Sequence, residues 1–540
     1  MSGSRWHAYV FEARGIQRFI LEGGRLRDVV GASELIEWMS TRLPDDVAEA
    51  AGVGEKVRFV RRAGGAVVAL AREREALERF AALWTLAVRQ ALPGIELQHG
   101  LGSGAGETEA LAVARDRAIA SRNRIAPSLP QAGPLAARSG RTGRPAVSWH
   151  PKDGLVDEAT TRKRLFSGGV DLARRFDPAS RREHWPRVLT PEPGDDAAAV
   201  FPFVGEQRYV GVVHADGNGL GQLIQRLSAE AEARGMSCAE LLGGFSEALA
   251  AAGRGAAEAA TRAVLAPART ADGRYPACPI VLGGEDLAIL VRGDLALAFA
   301  RAFLEAFERE SRARLGELAD RHGLEGLGQG LTACAGVALV KANHPFHLAF
   351  DLAEALCAHA KAWSRRAAGD GVPVPSAVSF LRLATGAGGS LERMLEEALT
   401  HADGDGTRLR ETMEAYGVGA HARGLPALDD LAALHALMSR PEMARGAART
   451  ILGLVGAAPA DARRRYARWR QLMSEHQAEA LEAFDRLLAR IAGPGPADLP
   501  FGAPDRDGVR RSPLGDVHAL AAVEAVPGPA PAAAEEVADA

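Results

Sequence analysis

Three acidic residues stand at points where short apolar runs turn or end. Gly283-Gly284-Glu285-Asp286 joins the run Pro279-Ile280-Val281-Leu282 to Leu287-Ala288-Ile289-Leu290-Val291. Two such runs around a glycine pair read as a hairpin of buried strands, with both acids at its tip and the glycines supplying backbone freedom without side-chain bulk. Earlier in the chain, Tyr209-Val210-Gly211-Val212-Val213-His214-Ala215 is another buried strand, and it ends in Asp216 followed by Gly217-Asn218-Gly219-Leu220-Gly221. Carboxylates gathered at one sheet edge raise each other's pKa unless they share a cation. Hard oxygen ligands suit Mg2+ or Mn2+, ions that also bind substrate phosphates. The glycine turn leads into a helical pattern of Leu220, Leu223, Ile224 and Leu227, whose first backbone N–H groups can hold a triphosphate. The combination points to nucleotidyl transfer. The alternative is a tight hairpin with solvated acids beside an unrelated loop Asp, and the acid at the end of a second strand weighs against it.

The elements around these residues follow a recognisable order. Strand (Tyr209 to Ala215), helical region (Leu220 to about Leu265), hairpin (Cys278 to Val291), helix (from Leu295), strand (Leu331 to Val340) and helix (Leu348 to Arg366) give β-α-β-β-α-β plus a helix. That is the split βαβ arrangement of polymerase palms, with helices expected on one face of an antiparallel sheet. Ala377 to Leu381 is expected as an extra edge strand. The N-terminal residues repeat the order: strand (His7 to Phe11), helix (Ile16 to Arg42), hairpin (Lys56 to Leu70), helix (Glu75 to Ala91), strand (Ile95 to Gly100). Here the turn reads Gly64-Gly65-Ala66-Val67, and aligning Gly15-Ile16-Gln17 with Gly219-Leu220-Gly221 sets Glu12 opposite Asp216. The metal-binding pair is absent, so this copy is expected to be degenerate.

The expected fold class is α+β, with two ferredoxin-like palm domains of nucleotidyl cyclase type followed by a helical domain. The expected boundaries are a degenerate first palm at 1–125, a basic linker at 126–205, a catalytic second palm at 206–385, helices at 386–492, and a Pro/Ala-rich tail without fixed structure at 493–540. Residues 121–190 hold fourteen Lys or Arg against six Asp or Glu, so the linker could face RNA or an acidic partner, although a solvated connector is the commoner case. A net charge of −3 over 540 residues argues against a protein that coats nucleic acid. Cys238, Cys278, Cys334 and Cys357 show no paired spacing, which fits structural thiols rather than a disulfide framework or zinc ribbon. With no membrane-length apolar run and no signal-peptide core, a cytoplasmic location and no membrane contact are expected.

The chain resembles the large, polymerase-like subunit of type III CRISPR effector complexes. The resemblance rests on Gly15-Ile16-Gln17-Arg18-Phe19-Ile20 with Leu26-Arg27 and Gly31-Ala32-Ser33-Glu34-Leu35, on His214 to Gly221, and on Gly283 to Leu287. It continues in Ala333 to Lys341 and in Leu352-Ala353-Glu354 to Ala360-Lys361, roughly two thirds of the chain in all. It implies a CRISPR-associated, ATP-binding nucleotidyltransferase, akin to diguanylate cyclases, that converts ATP into cyclic oligoadenylate with two divalent ions as an antiviral second messenger. Asp216, Glu285 and Asp286 are then catalytic metal ligands. Gly217, Asn218, Gly219, Gly283, Gly284 and Lys361 contact nucleotide, Lys361 as a point charge on the triphosphate.

Departures from the family adjust these expectations. The large members begin with a His-Asp nuclease domain and this sequence begins at the first palm, so no DNase activity is expected. The segment Gly133 to Ala146 looks like the family's cysteine site without its cysteines, so no zinc is expected. Glu285 stands where the family most often has Asp, a longer arm of equal charge. The competing reading is a catalytically silent RNA- or protein-binding subunit of a CRISPR-like complex, holding RNA or effector subunits through the linker and the helical domain. A third is a sensor that holds ATP or a cyclic product without turnover.

Overall fold

In a computed structural model, residues 5–524 are described except 123–132, 134, 170, 194, 369–373, 384–388, 404–405, 420–423 and 444. The N-terminal unit comprises β1 (Trp6–Arg14), α1 (Ile16–Leu21), α2 (Leu26–Thr41), α3 (Leu43–Ala50), β2 (Arg58–Ala63), β3 (Ala66–Ala71), α4 (Arg74–Ala91), β4 (Glu96–Gly104) and α5 (Glu107–Ser121). Its four strands pair antiparallel in the order β2-β3-β1-β4. The single helix expected from Ile16 to Arg42 is two, because Gly23 and Gly24 hold φ values of 106° and 72° that break the helical path.

The stretch expected as a linker folds: β5 (Ala146–His150) and β6 (Gly154–Asp157) form a hairpin, and α6 (Glu158–Phe166) follows it. Several of its basic residues serve internal contacts rather than an outward face. Lys163 is fully buried and donates to the Glu22 carbonyl at 3.2 Å, and Arg164 binds Asp28 at 2.9 Å and Asp153 at 2.8 Å. Arg144 reaches Glu22 at 3.0 Å. Arg175 pairs with Glu37 of α2 and donates to the Leu282 carbonyl at 2.7 Å. Arg124 lies outside the described residues.

The second unit runs β7 (Tyr209–Gly217), α7 (Leu220–Ala233), α8 (Cys238–Ala260), β8 (Ala277–Gly283), β9 (Asp286–Arg292), α9 (Gly293–His322), β10 (Ala333–Lys341), α10 (Phe346–Ala368) and β11 (Ala377–Arg382). Its strands β10-β7-β9-β8 follow the same spatial order as the first sheet. Two features differ from expectation. β11 pairs parallel to β10 and is itself flanked by the short β14 (Tyr416–Gly417), so the sheet is mixed and β11 is not its edge. Helices also cover both faces. Val213 and Ala215 point into a core shared with α8 and α9, whereas Val210 and Val212 point into a core built with α10 and the N-terminal unit. The period-2 alternation of a strand therefore carries His214 and Asp216 toward α10.

The C-terminal part is largely helical: α11 (Leu391–Ala398), α12 (Leu428–Met438), α13 (Arg445–Val455), α14 (Pro459–His476), α15 (Ala478–Ala492) and α16 (Leu514–Val523). It also contains a small sheet of β12 (Thr400–Ala402), β13 (Arg408–Arg410) and β15 (Val509–Arg511). Residues 499–523, expected to lack fixed structure, thus supply β15 and α16, because Leu499, Phe501, Val509, Leu514 and Val517 are buried. Residues 525–540 lie outside the described residues. Among the described residues no helix is long and apolar enough to cross a membrane. All four cysteines are buried, free thiols.

Candidate active site

The end of β7 and the tip of the β8–β9 hairpin are brought together by close backbone packing. A side chain on Gly217 would fall 2.9 Å from the Glu285 Cβ and 2.5 Å from Leu220. A Cβ on Gly253 of α8 would sit 2.0 Å from the Gly284 carbonyl oxygen, so α8 passes directly against the hairpin tip. Gly284 itself has φ 69°, the left-handed turn that a glycine adopts without strain.

Asp216 and Lys361 meet at this edge. The Lys361 ammonium is bonded to the Asp216 carboxylate and donates to the Gly217 carbonyl at 2.8 Å. Asp286 lies across from them, with its Oδ1 3.8 Å from His214 Nδ1. That oxygen and the His214 nitrogen are both shut off from solvent without a hydrogen-bond partner, although the Asp286 side chain as a whole is 45% exposed. Burial, reinforced by the negative charges of Asp216, Glu285 and Glu354, raises the Asp286 pKa to about 7. Burial raises Glu285 as well, with Asp216 adding to it. His214 is lowered by burial, and its ring packs edge-on against Phe350 of α10.

The turn after Asp216 leads directly into α7. Gly219 (φ 72°, ψ 11°) begins α7 in the left-handed region, and Gly15 (φ 63°, ψ 30°) begins α1 in the same way. Asn218 instead turns its amide to Thr332 Oγ1 at 2.9 Å, tying the loop to the segment before β10. Gly283 and Gly284 form the hairpin tip and are half-buried. The structure thus groups Asp216, Gly217, Glu285, Asp286 and Lys361, sets Gly219 at a helix start beside them, and turns Asn218 away.

Three further residues bear on the site. Glu354 lies on α10 two turns before Lys361, and its carboxylate accepts from Gln17 of α1 at 3.3 Å. Arg61 of β2 contributes positive charge at Glu285. His214 precedes Asp216 by two residues and shares its strand face. His214 and Glu354 follow from strand and helix periodicity. Arg61 carried no local signal, and Gln17, although part of the N-terminal motif, gave no sign of its approach to Glu354, which depends on the docking of the two units.

Among the described residues no group of three or more His, Cys, Asp or Glu side chains is drawn in closely enough to hold a metal as it stands. The residues nevertheless fit a hard divalent cation. They offer carboxylate and carbonyl oxygens, one carboxylate oxygen is buried without a donor, and the acids disfavour one another's ionisation.

A family model for the second palm domain of Cas10/Cmr2 matches residues 209–368, the segment that holds every one of these acids and Lys361. No curated protein sequence matches the chain. Among solved structures, the Csm1–Csm4 cassette in complex with cA4 aligns at 13% identity and TM-score 0.47, over 96% of this chain and 70% of that chain. The cassette in complex with one ATP gives 14%, 0.48, 96% and 70%. The complex with pppApA gives 14% and 0.38 over 67% of this chain, which there spans 53% of the matched chain.

Proposed function

We propose that this chain, with a Cas10/Cmr2-type second palm at residues 209–368, is a metal-dependent nucleotidyltransferase that joins ATP into a cyclic oligoadenylate. The N-terminal unit is then a degenerate palm that walls the cleft, and of the C-terminal helices α11 packs beside α10 while α12 to α16 join the core on the α8 and α9 face of the second sheet. The observation that carries this reading is the convergence of Asp216, Glu285, Asp286 and Lys361 at one sheet edge beside the start of α7. An edge built only for stability would not gather like charges there.

In this reading the ribose hydroxyl of one nucleotide attacks the α-phosphate of the next, and diphosphate leaves. Asp216, Glu285 and Asp286 would hold Mg2+ or Mn2+, which when bound supplies hydroxyl activation and charge stabilisation at the phosphate. The backbone N–H groups at the start of α7 orient the triphosphate. The Lys361 ammonium is within reach of the same loop through Gly217, and its compact charge suits a phosphate oxygen. A wall formed by the N-terminal unit, which reaches the edge through Gln17 and Arg61, would hold two nucleotides side by side and favour joining through proximity.

The test is incubation of the purified protein with ATP, GTP, CTP or UTP and Mn2+, with and without RNA, followed by chromatography and mass spectrometry. Cyclic or short linear oligoadenylates are expected. Long template-dependent RNA would refute the reading. Absence of product, even with RNA and candidate effector subunits present, would favour the silent binding subunit.

A further inference from the structure

The Lys361 ammonium makes two contacts that do not belong to a phosphate ligand. It is bonded to the carboxylate of Asp216 and to the backbone carbonyl of Gly217 at 2.8 Å. Both partners are hard oxygens, one anionic, at the edge where Asp216, Glu285 and Asp286 would hold a divalent ion. The lysine side chain is only 14% exposed, so its charge is held inside the cleft rather than fluctuating in solvent. The contacts are those of a cation seated on the acidic edge. An ammonium and a metal ion cannot share one seat, since like charges at that distance repel strongly.

We propose that Lys361 is a placeholder cation: with no metal bound it neutralises Asp216 in the seat of the divalent ion, and metal entry displaces it toward the nucleotide phosphates. The inference rests on the metal-dependent reading above and adds an order of events to it. The seat is never left as bare repelling carboxylates, which keeps the edge folded between turnovers. Release of the ammonium is coupled to loading of the ion, so the group that would grip the triphosphate becomes free only when the metal is in place. Such coupling makes metal and lysine competitors for the same oxygens.

The coupling is measurable on the full chain without nucleotide. Mn2+ binding, read from loss of the free-ion electron paramagnetic resonance signal, is compared for the parent, Lys361→Met, Lys361→Gln and Arg61→Met, each checked by its melting temperature. Arg61 is an exposed cation near Glu285 but outside the seat. Removing the competitor should tighten Mn2+ binding about tenfold or more in both Lys361 variants, and the Arg61 variant should shift it far less. In the parent, brief amine acetylation followed by peptide mass spectrometry should find Lys361 protected without Mn2+ and labelled with it. Equal Mn2+ affinity in the parent and the Lys361 variants would overturn the placeholder and leave the metal reading standing. So would a gain matched by Arg61→Met, or labelling indifferent to Mn2+. If Mn2+ binds none of the proteins, the metal reading fails and the placeholder with it.

Discussion

Each acid at the edge has a distinct local environment, which allows the residues to be tested one at a time. Asp216→Ala and Asp286→Ala should each lower turnover by orders of magnitude with little change in melting temperature, since both side chains are about half exposed and neither fills a core. Parental turnover in folded variants would move the active site elsewhere. Gly253→Ala tests the scaffold rather than the chemistry. Alanine improves helix propensity by about 1 kcal/mol. The added Cβ would nevertheless lie 2.0 Å from the Gly284 carbonyl oxygen, a backbone clash that should destabilise by about 1–3 kcal/mol net and shift the hairpin tip. Thermal denaturation and activity should therefore fall together. The catalytic candidates were legible from sequence because each adjoins a turn signal: glycines flank Asp216, Glu285 and Asp286. The engagement of Asn218 with Thr332 was not legible, because Thr332 is distant in sequence and nothing local specifies where a loop amide will turn.

At the scale of elements, α10 links the edge to the C-terminal region. Glu354 and Lys361 face the acidic edge, and on another side of the helix His359 Nε2 lies 2.9 Å from both the Glu414 carboxylate, to which it donates, and the Trp363 indole nitrogen. Glu414 also binds Arg410 at 2.5 Å and Arg511 at 2.9 Å, and it holds φ 71°, unique among the described non-glycine residues. Burial opposes its ionisation. The His359 hydrogen bond and the charges of Arg511 and Arg410 outweigh that and bring the pKa down to about 2. A carboxylate lowered on folding contributes stability that is fully present above its unfolded pKa and is lost as pH falls toward the folded value. Glu414→Gln should therefore cost on the order of 2–3 kcal/mol at neutral pH and remove part of the acid-side loss between about pH 4.5 and 2. Equilibrium denaturation across that range checks both. The expectation of a purely helical region missed this arrangement because β12, β13 and β15 are three residues each. Runs that short show no alternation, and β13 finds its parallel partner β15 only through long-range pairing.

At the scale of the whole molecule, the two sheets share one apolar core: Phe11, Val67 and Trp84 of the N-terminal unit belong with Val212, Ile280 and Ala338 of the second. Near this junction the Glu34 carboxyl borders a small cavity of about 20 Å3 with Leu172, Trp185, Arg187 and Cys278. Burial raises its pKa to about 7 despite a hydrogen bond from the Leu172 N–H. The folded chain thus keeps a proton there that the unfolded chain releases above about pH 4.5. That contribution is complete below pH 4.5 and disappears as pH rises through 7. Glu34→Gln should raise the melting temperature at pH 7.5 and flatten its fall between pH 4.5 and 7, and an unchanged profile would place the proton elsewhere. The repeated strand order was legible in sequence, whereas the pooling of the two cores was not, because each unit's apolar pattern is satisfied equally by a core of its own. The pooling also bears on how the chain is made. A ribosome that finishes β4 at residue 104 must add β7 to β10, ending at residue 341, before the second unit can complete the shared core. At ordinary elongation rates that interval is roughly 10–50 s. The nascent chain therefore carries half of the shared core without its complement over some 237 residues of synthesis, and holdases, slow codons or growth temperature in that window should govern the yield of native protein more than the stability of the finished fold.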